Sequence, residues 1–244
     1  MDIKINQFEL KILAIFAMTV DHIAWVFVET DSFWGQLLHF FGRLTAPIMC
    51  YFLAQGYRYS KDRYRYAGRL FGFALLSQVP YALMIYGYDK VWADLSLVLN
   101  RGNILFNLLL ALSALALLHT QFSKLIKGVV MVVLLYLSLF LDWGIYVIAF
   151  SLVLYYYHED KKTQLFAYLI VAMGLLLLAD RGYNPAMPSL ALNWFPLGIL
   201  IAPFTWYVYD GTLGSRWGGR YFFYAFYPVH MVVLMGLAIL IDKL

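Results

Sequence analysis

Charge is scarce in this chain. Only 13% of its 244 residues are Asp, Glu, Lys or Arg, about half of the roughly 25% usual for a soluble domain, which excludes an ordinary water-soluble fold. Cysteine occurs once, at Cys50 inside an apolar run, so no disulfide framework exists and the redox compartment leaves no mark. No Walker loop, Rossmann glycine pattern or Ser-centred nucleophile elbow is present, so those motif-borne chemistries find no support. The five histidines are His22, His39, His119, His158 and His230. None stands four residues from another and three fall at predicted interfaces, so no metal is expected. Repeats, heptads and low-complexity tracts are lacking, and no loop exceeds about 16 residues, too short for a soluble domain. The net charge of +4 is scattered over short loops, which argues against a nucleic-acid partner.

What is abundant is apolar surface. Hydrophobic residues make up 63% of the chain, with 20 Tyr, 19 Phe and 7 Trp, and the mean hydropathy is +0.72. The expected fold class is an all-α polytopic membrane protein forming a single transmembrane helical domain over residues 1–244. Spans need about 20 residues each, and the apolar runs predict nine helices. They cover 11–28, 38–57, 66–86, 103–118, 122–141, 144–157, 164–179, 191–209 and 221–241. The first run has no small-residue cleavage site after it and reads as a retained span. With a cytoplasmic N-terminus and an outer C-terminus, one side holds Lys4, Lys11, Arg58, Lys61, Arg63, Arg65, Arg69, Lys124, Lys127, Lys161, Lys162, Arg216 and Arg220. Only Arg43, Lys90, Arg101, Arg181 and Lys243 fall on the other. Merging the fifth and sixth helices across Leu141-Asp142-Trp143-Gly144 would even out this asymmetry, so the positive-inside rule favours a turn there, with Asp142 outside.

Against this background the polar residues inside the runs stand out. Asp21 and His22 lie in the first, about 10 Å from its outer end at 1.5 Å per residue. Lipid offers neither hydrogen bonds nor high dielectric, so an intramembrane ionisable pair marks a functional site or a structural clasp. Neighbours on a helix project about 100° apart, so the two cannot share one target. Arg43 is the expected partner of Asp21, because a carboxylate in low dielectric needs a counter-charge; His22 is then free to face a substrate. Thr45, Pro47, Ser77, Gln78, Pro80, Asn103, Asn107 and Asp142 populate the same outer half, with Asn103 also expected to cap a helix. Gln78, Asn103, Asp142 and Tyr227 are the candidate substrate-binding residues. The last helix places Tyr227, Pro228 and His230 at one depth, combining a kink with a titratable ring. Before it, residues 210–220 hold four glycines, Arg216 and Arg220. That loop suits an anionic phosphate ligand or, equally, a flexible inner connection with ordinary basic anchors.

Taken in order, Asp21-His22-Ile23, Gly42-Arg43-Leu44 with Pro47, Gly56-Tyr57, Arg69-Leu70, Ser77-Gln78-Val79-Pro80, Asn103-Ile104-Leu105-Phe106, Asp142-Trp143-Gly144 and Tyr221 through His230 resemble the TraX family of integral-membrane proteins. The family's name-giver acetylates a conjugative pilin. Gln78 stands where a glutamate is common in the family, and Asp210 where an asparagine is common. The resemblance implies a transmembrane acyltransferase of the bacterial cytoplasmic (inner) membrane. It would carry an acetyl or other acyl group from cytosolic acetyl-CoA (acyl-CoA) to an amine or hydroxyl of an acceptor protein or glycan, such as a pilin N-terminus. On that reading Arg63, Arg65, Arg216 and Arg220 hold the donor's phosphates. His22 is the general base, Asp21 and Arg43 fix its helix and field, and His230 is a competing base or a stabiliser of the thioester oxygen. Two other classes fit the composition: a proton-coupled small-solute transporter, against which the lack of an inverted repeat counts, and a non-catalytic membrane assembly factor.

Overall fold

The computed structural model describes residues 4–179, 192–215 and 221–241, and every regular element among them is helical. The helices are α1 (Gln7–Phe27), α2 (Phe33–Gly42), α3 (Thr45–Tyr59), α4 (Arg63–Tyr86), α5 (Tyr88–Ala93), α6 (Leu97–Asn100), α7 (Ile104–Leu118), α8 (Lys124–Ser138), α9 (Ile145–Tyr156) and α10 (Lys161–Ala179). A 3₁₀ segment (Phe195–Ile201), α11 (Ala202–Tyr207) and α12 (Phe222–Leu240) follow. Each of the nine apolar runs contains a helix. Among the described residues, four helical stretches are long and apolar enough to cross a membrane: Gln7–Phe27, Phe33–Tyr59, Arg63–Tyr86 and Phe222–Leu240.

Local chemistry sets the ends. Asn6 and Glu9 form a reciprocal capping box, which starts α1 four residues before the apolar run does. Ser32, Asp62, Asn103 and Ser123 accept from backbone N–H groups at the starts of α2, α4, α7 and α8, satisfying donors that have no intrahelical partner. The run expected as one helix over 38–57 is broken at Arg43 and Leu44, where the Arg43 N–H is shared between His39 and Phe40 carbonyls. The join at 139–144 is a turn, as the charge pattern requires. α8 ends at Ser138, and Trp143 at φ 65° with Gly144 at φ 51° turns the chain into α9. The 191–209 run divides into the 3₁₀ segment and α11, where Pro196 and Pro203 withhold two helical N–H donors. The connection between the runs over 66–86 and 103–118 carries α5 and α6.

The described residues fall into two compact units, with α3 and α10 each divided between them. In the first unit, α1 packs on α2 and α12, and α2 packs on the 3₁₀ segment. Gln36 joins the last pair: its Oε1 accepts from the Trp194 and Phe195 N–H groups at 3.0 and 3.2 Å, while its Nε2 donates to Thr30 O and Asn193 Oδ1. Gly198 lies against the Phe40 carbonyl, where a Cβ has no room. In the second unit α7 is central, packed by α4, α8 and α9, and its buried face includes Leu105, Leu108, Ala111, Leu112 and Leu115.

Candidate functional site

The first unit buries a charged clamp beside an imidazole pair. Arg43, 1% exposed, points one terminal nitrogen at both oxygens of Asp21, donating at 2.6 and 2.7 Å. Its Nε donates to the His39 carbonyl at 3.3 Å. The Asp21–Arg43 pair is the one expected from opposite charge and matched depth. Gly42 makes it possible, because a Cβ there would overlap the Asp21 carboxylate.

His39 completes the clamp, and the sequence reading placed it at an interface instead. It is fully buried, with Nδ1 2.9 Å from Asp21 Oδ1. A carboxylate only accepts, so Nδ1 carries the proton. The Nε2 atom is buried without a hydrogen-bond partner. The ring therefore meets the clamp through Nδ1 alone. Trp25 and Phe195 flank it, with ring centroids 4.4 and 5.1 Å away, and the Arg43 guanidinium also lies over Phe195 at 5.1 Å. The available signal was the i, i+4 spacing of His39 and Arg43, which puts both on one face of α2.

His22 leaves α1 in a different direction and meets His230 of α12, its Nδ1 2.6 Å from His230 Nε2. The rings are within 8° of parallel, with centroids 4.8 Å apart. Adding two imidazole radii to the N···N contact gives about that separation, so the rings lie edge to edge in one plane and the bond is straight. The His230 Nδ1 contacts the Phe226 carbonyl at 2.8 Å, and a carbonyl can only accept. The proton therefore sits on His230 Nδ1, Nε2 accepts, and His22 donates its own Nδ1–H. The remaining nitrogen, His22 Nε2, is a bare lone pair with no hydrogen-bond partner among the described residues. Tyr227 is buried beside the two rings, 6.3 Å from His22 and 5.8 Å from His230 between centroids.

The other expected site residues lie in the second unit or outside the described residues. Gln78 donates from Nε2 to Val98 O and Arg101 O at 2.6 and 2.8 Å, and its Oε1 accepts from Asn103 N and Nδ2. Asn103 caps α7 through Leu105 N and also donates to Ala74 O. Asp142 hydrogen-bonds through its backbone to Gly102 O at 2.7 Å, and Asn107 clasps the carbonyls of Asp142 and Gly144. Gln78 and Asn103 thus meet, and Asp142 is tied to the start of the same helix. Arg63 donates to Tyr57 O and lies over the Tyr57 ring, whereas Arg65 pairs with exposed Asp62 at 3.0 Å. Arg216 and Arg220 lie outside the described residues.

Apolar helices of spanning length around a buried Asp–Arg–His clamp and a histidine pair define a helical protein of membrane type with a polar interior site. The chain belongs to the TraX family: the family model described as TraX protein matches residues 7–238. It is 45% identical over 234 residues to a protein described as probable fimbrial assembly protein FimC, serogroup H1, of Dichelobacter nodosus, covering 96% of each chain. No solved structure matches.

Proposed function

We propose that this chain is a multi-pass acyltransferase of the bacterial cytoplasmic membrane. It crosses the bilayer nine times, N-terminus inside and C-terminus outside. It moves an acetyl or related acyl group from cytosolic acyl-CoA to an amine or hydroxyl of an exported acceptor, a pilin subunit or a glycan. The observation that carries this reading is the lone pair on His22 Nε2, left bare by the relay from His22 through His230 to the Phe226 carbonyl.

The chemistry follows from that tautomer. A neutral amine or hydroxyl attacking a thioester must lose a proton as the new C–N or C–O bond forms, and a base held beside it takes that proton. His22 Nε2 takes that proton. The imidazolium so formed keeps its Nδ1–H bond to His230, so the ring does not turn as it charges. When the C–S bond breaks, the coenzyme thiolate leaves and accepts the proton from Nε2, returning His22 to its starting form. His230 is on this reading the residue that fixes the tautomer of His22, a partner and not a rival base. Asp21, Arg43 and His39 set the rotation of α1. Arg216 and Arg220 belong to the donor side, where Arg220→Ala raises the KM for acyl-CoA and leaves acceptor use unchanged.

The decisive experiment uses purified chain, radiolabelled acetyl-CoA and isolated pilin subunits. Transfer of label by the native chain, lost in a folded His22→Ala variant, supports the proposal. The name of the Dichelobacter relative favours a second reading, a non-catalytic pilus assembly factor. In that case no label moves, and His22→Ala assembles pili as the native chain does.

A further inference from the structure

The second unit contains a cluster of donors with no acceptors to meet them. Tyr57 and Arg58 end α3, His119 follows α7, Tyr155 lies in the last turn of α9, and Arg63 opens α4. Arg58 donates one terminal nitrogen to Tyr155 O at 2.7 Å and lays its guanidinium over the Tyr155 ring at 4.7 Å. Its other terminal nitrogen, Nη1, is buried and has no hydrogen-bond partner. Arg63 lies over the Tyr57 ring at 4.1 Å and donates only its Nε, to Tyr57 O at 3.3 Å. Among the described residues no carboxylate pairs with either arginine.

The tyrosine adds a third donor. His119 Nδ1 is 2.9 Å from the Leu115 carbonyl and therefore carries a proton. Tyr57 Oη, 3.2 Å from the same nitrogen, can only accept from it. Tyr155 Oη meets His119 Nε2 at 2.9 Å. Whether His119 is neutral or charged, the Tyr57 hydroxyl proton finds no acceptor among the described residues, although Tyr57 is 1% exposed. The Tyr57 and Tyr155 rings are 5.5 Å apart, which brings the arginines stacked on them to one place.

An unmet Arg donor, a second unpaired guanidinium and a buried O–H with no acceptor together call for a ligand made of acceptors and carrying negative charge. Leaving the buried Tyr57 hydroxyl and Arg58 Nη1 dry is costly, and a tetrahedral oxyanion satisfies both while pairing with the exposed Arg63. We propose that Tyr57, Arg58 and Arg63 form a phosphate-binding site, independent of whether the chain transfers acyl groups. Two sources supply such a phosphate at a basic membrane face: the headgroup of an anionic phospholipid, or a soluble phosphate ester such as the nucleotide part of coenzyme A.

The test uses full-length chain in dodecyl maltoside, a detergent without phosphate. Binding of phosphatidylglycerol is measured by native mass spectrometry, and binding of coenzyme A by the shift in thermal unfolding. Tyr57→Phe keeps the ring and removes only the unpaired proton; Arg58→Lys keeps the charge and loses Nη1. One probe binds the native chain, and each variant weakens it at least about tenfold. Phosphatidylglycerol binding without coenzyme A identifies a lipid site, and the reverse identifies a soluble ligand. Failure of both probes on the native chain overturns the proposal, as does native-like affinity in both variants.

Discussion

Cutting the clamp at one end is worse than removing it whole. In Arg43→Met the Asp21 carboxylate keeps only the His39 Nδ1–H, and breaking a buried ion pair in this way costs about 3–5 kcal/mol. Asp21→Leu leaves the guanidinium buried and also strands the His39 donor, a further loss of about 1–3 kcal/mol, so it is the more damaging single change. The double variant removes both charges at once and leaves one unmet neutral donor, at about 1–3 kcal/mol. The summed single losses therefore exceed the double loss by several kcal/mol. Denaturant unfolding in detergent, followed by tryptophan fluorescence, measures all three; Trp25 beside His39 reports from within the cluster. Losses that simply add would show that the 2.6 and 2.7 Å contacts carry no coupling, and the argument would fail.

Acyl transfer in His22→Ala drops by about 10²–10⁴ in kcat with donor binding kept; native-like turnover in the folded variant would remove His22 from the chemistry. His39→Asn keeps an N–H within reach of Asp21 and retains activity, whereas His39→Leu loses it through kcat and not KM. Equal kcat values in the two variants would show that the Asp21 contact does not matter. Cysteines placed at Lys61, Lys161 or Ser215 stay shielded from an impermeant reagent outside the cell while those at Asp31 and Asp94 react, and outside labelling at 161 would break the nine-span order. At the start of α10 the Thr163 hydroxyl donates to the Asp160 carboxylate and, with the Thr163 and Lys162 N–H groups, holds that carboxyl below the usual range. A lowered folded value means the stabilisation is complete above the ordinary carboxylate pKa and is lost as pH falls through the folded one. Amide exchange in the first turn of α10, corrected for its intrinsic pH dependence, should therefore lose protection in acid, and constant protection there would refute the cap.

The charged half of the site was legible because physics leaves few options. A carboxylate in an apolar run needs a cation at its own depth, and Arg43 was the one at hand. His39 was hidden by its surroundings. It stands at the start of the 38–57 run, as an interfacial residue does, and only folding α2 onto α1 reveals it as the second partner of Asp21. The pairing of His22 with His230 joins residues 208 positions apart, and no local pattern encodes it. Gln78, Asn103 and Asp142 were legible as polar positions, but their hydrogen bonds run mainly to backbone, which composition does not foretell. Gln78 gives both hydrogens of one nitrogen to carbonyls, whereas a glutamate there has at most one proton to give, and only in its neutral form. The break at Arg43 escaped the hydropathy reading, which does not register Gly42 and Pro47 as a boundary inside an apolar run; Pro47 has no N–H to return to the Arg43 carbonyl, and the Arg43 N–H divides between two carbonyls.

Asp21 and His22 are consecutive, and that adjacency works as an index mark on a shaft. Once Arg43 and His39 grip the carboxylate, α1 has no freedom to roll, and the next side chain is delivered to α12 at a fixed azimuth. Inserting one residue between Asp21 and His22 would swing the imidazole by about a quarter turn, with every side chain in the cluster still present. The length of this stretch therefore matters to the site as much as the identity of its residues.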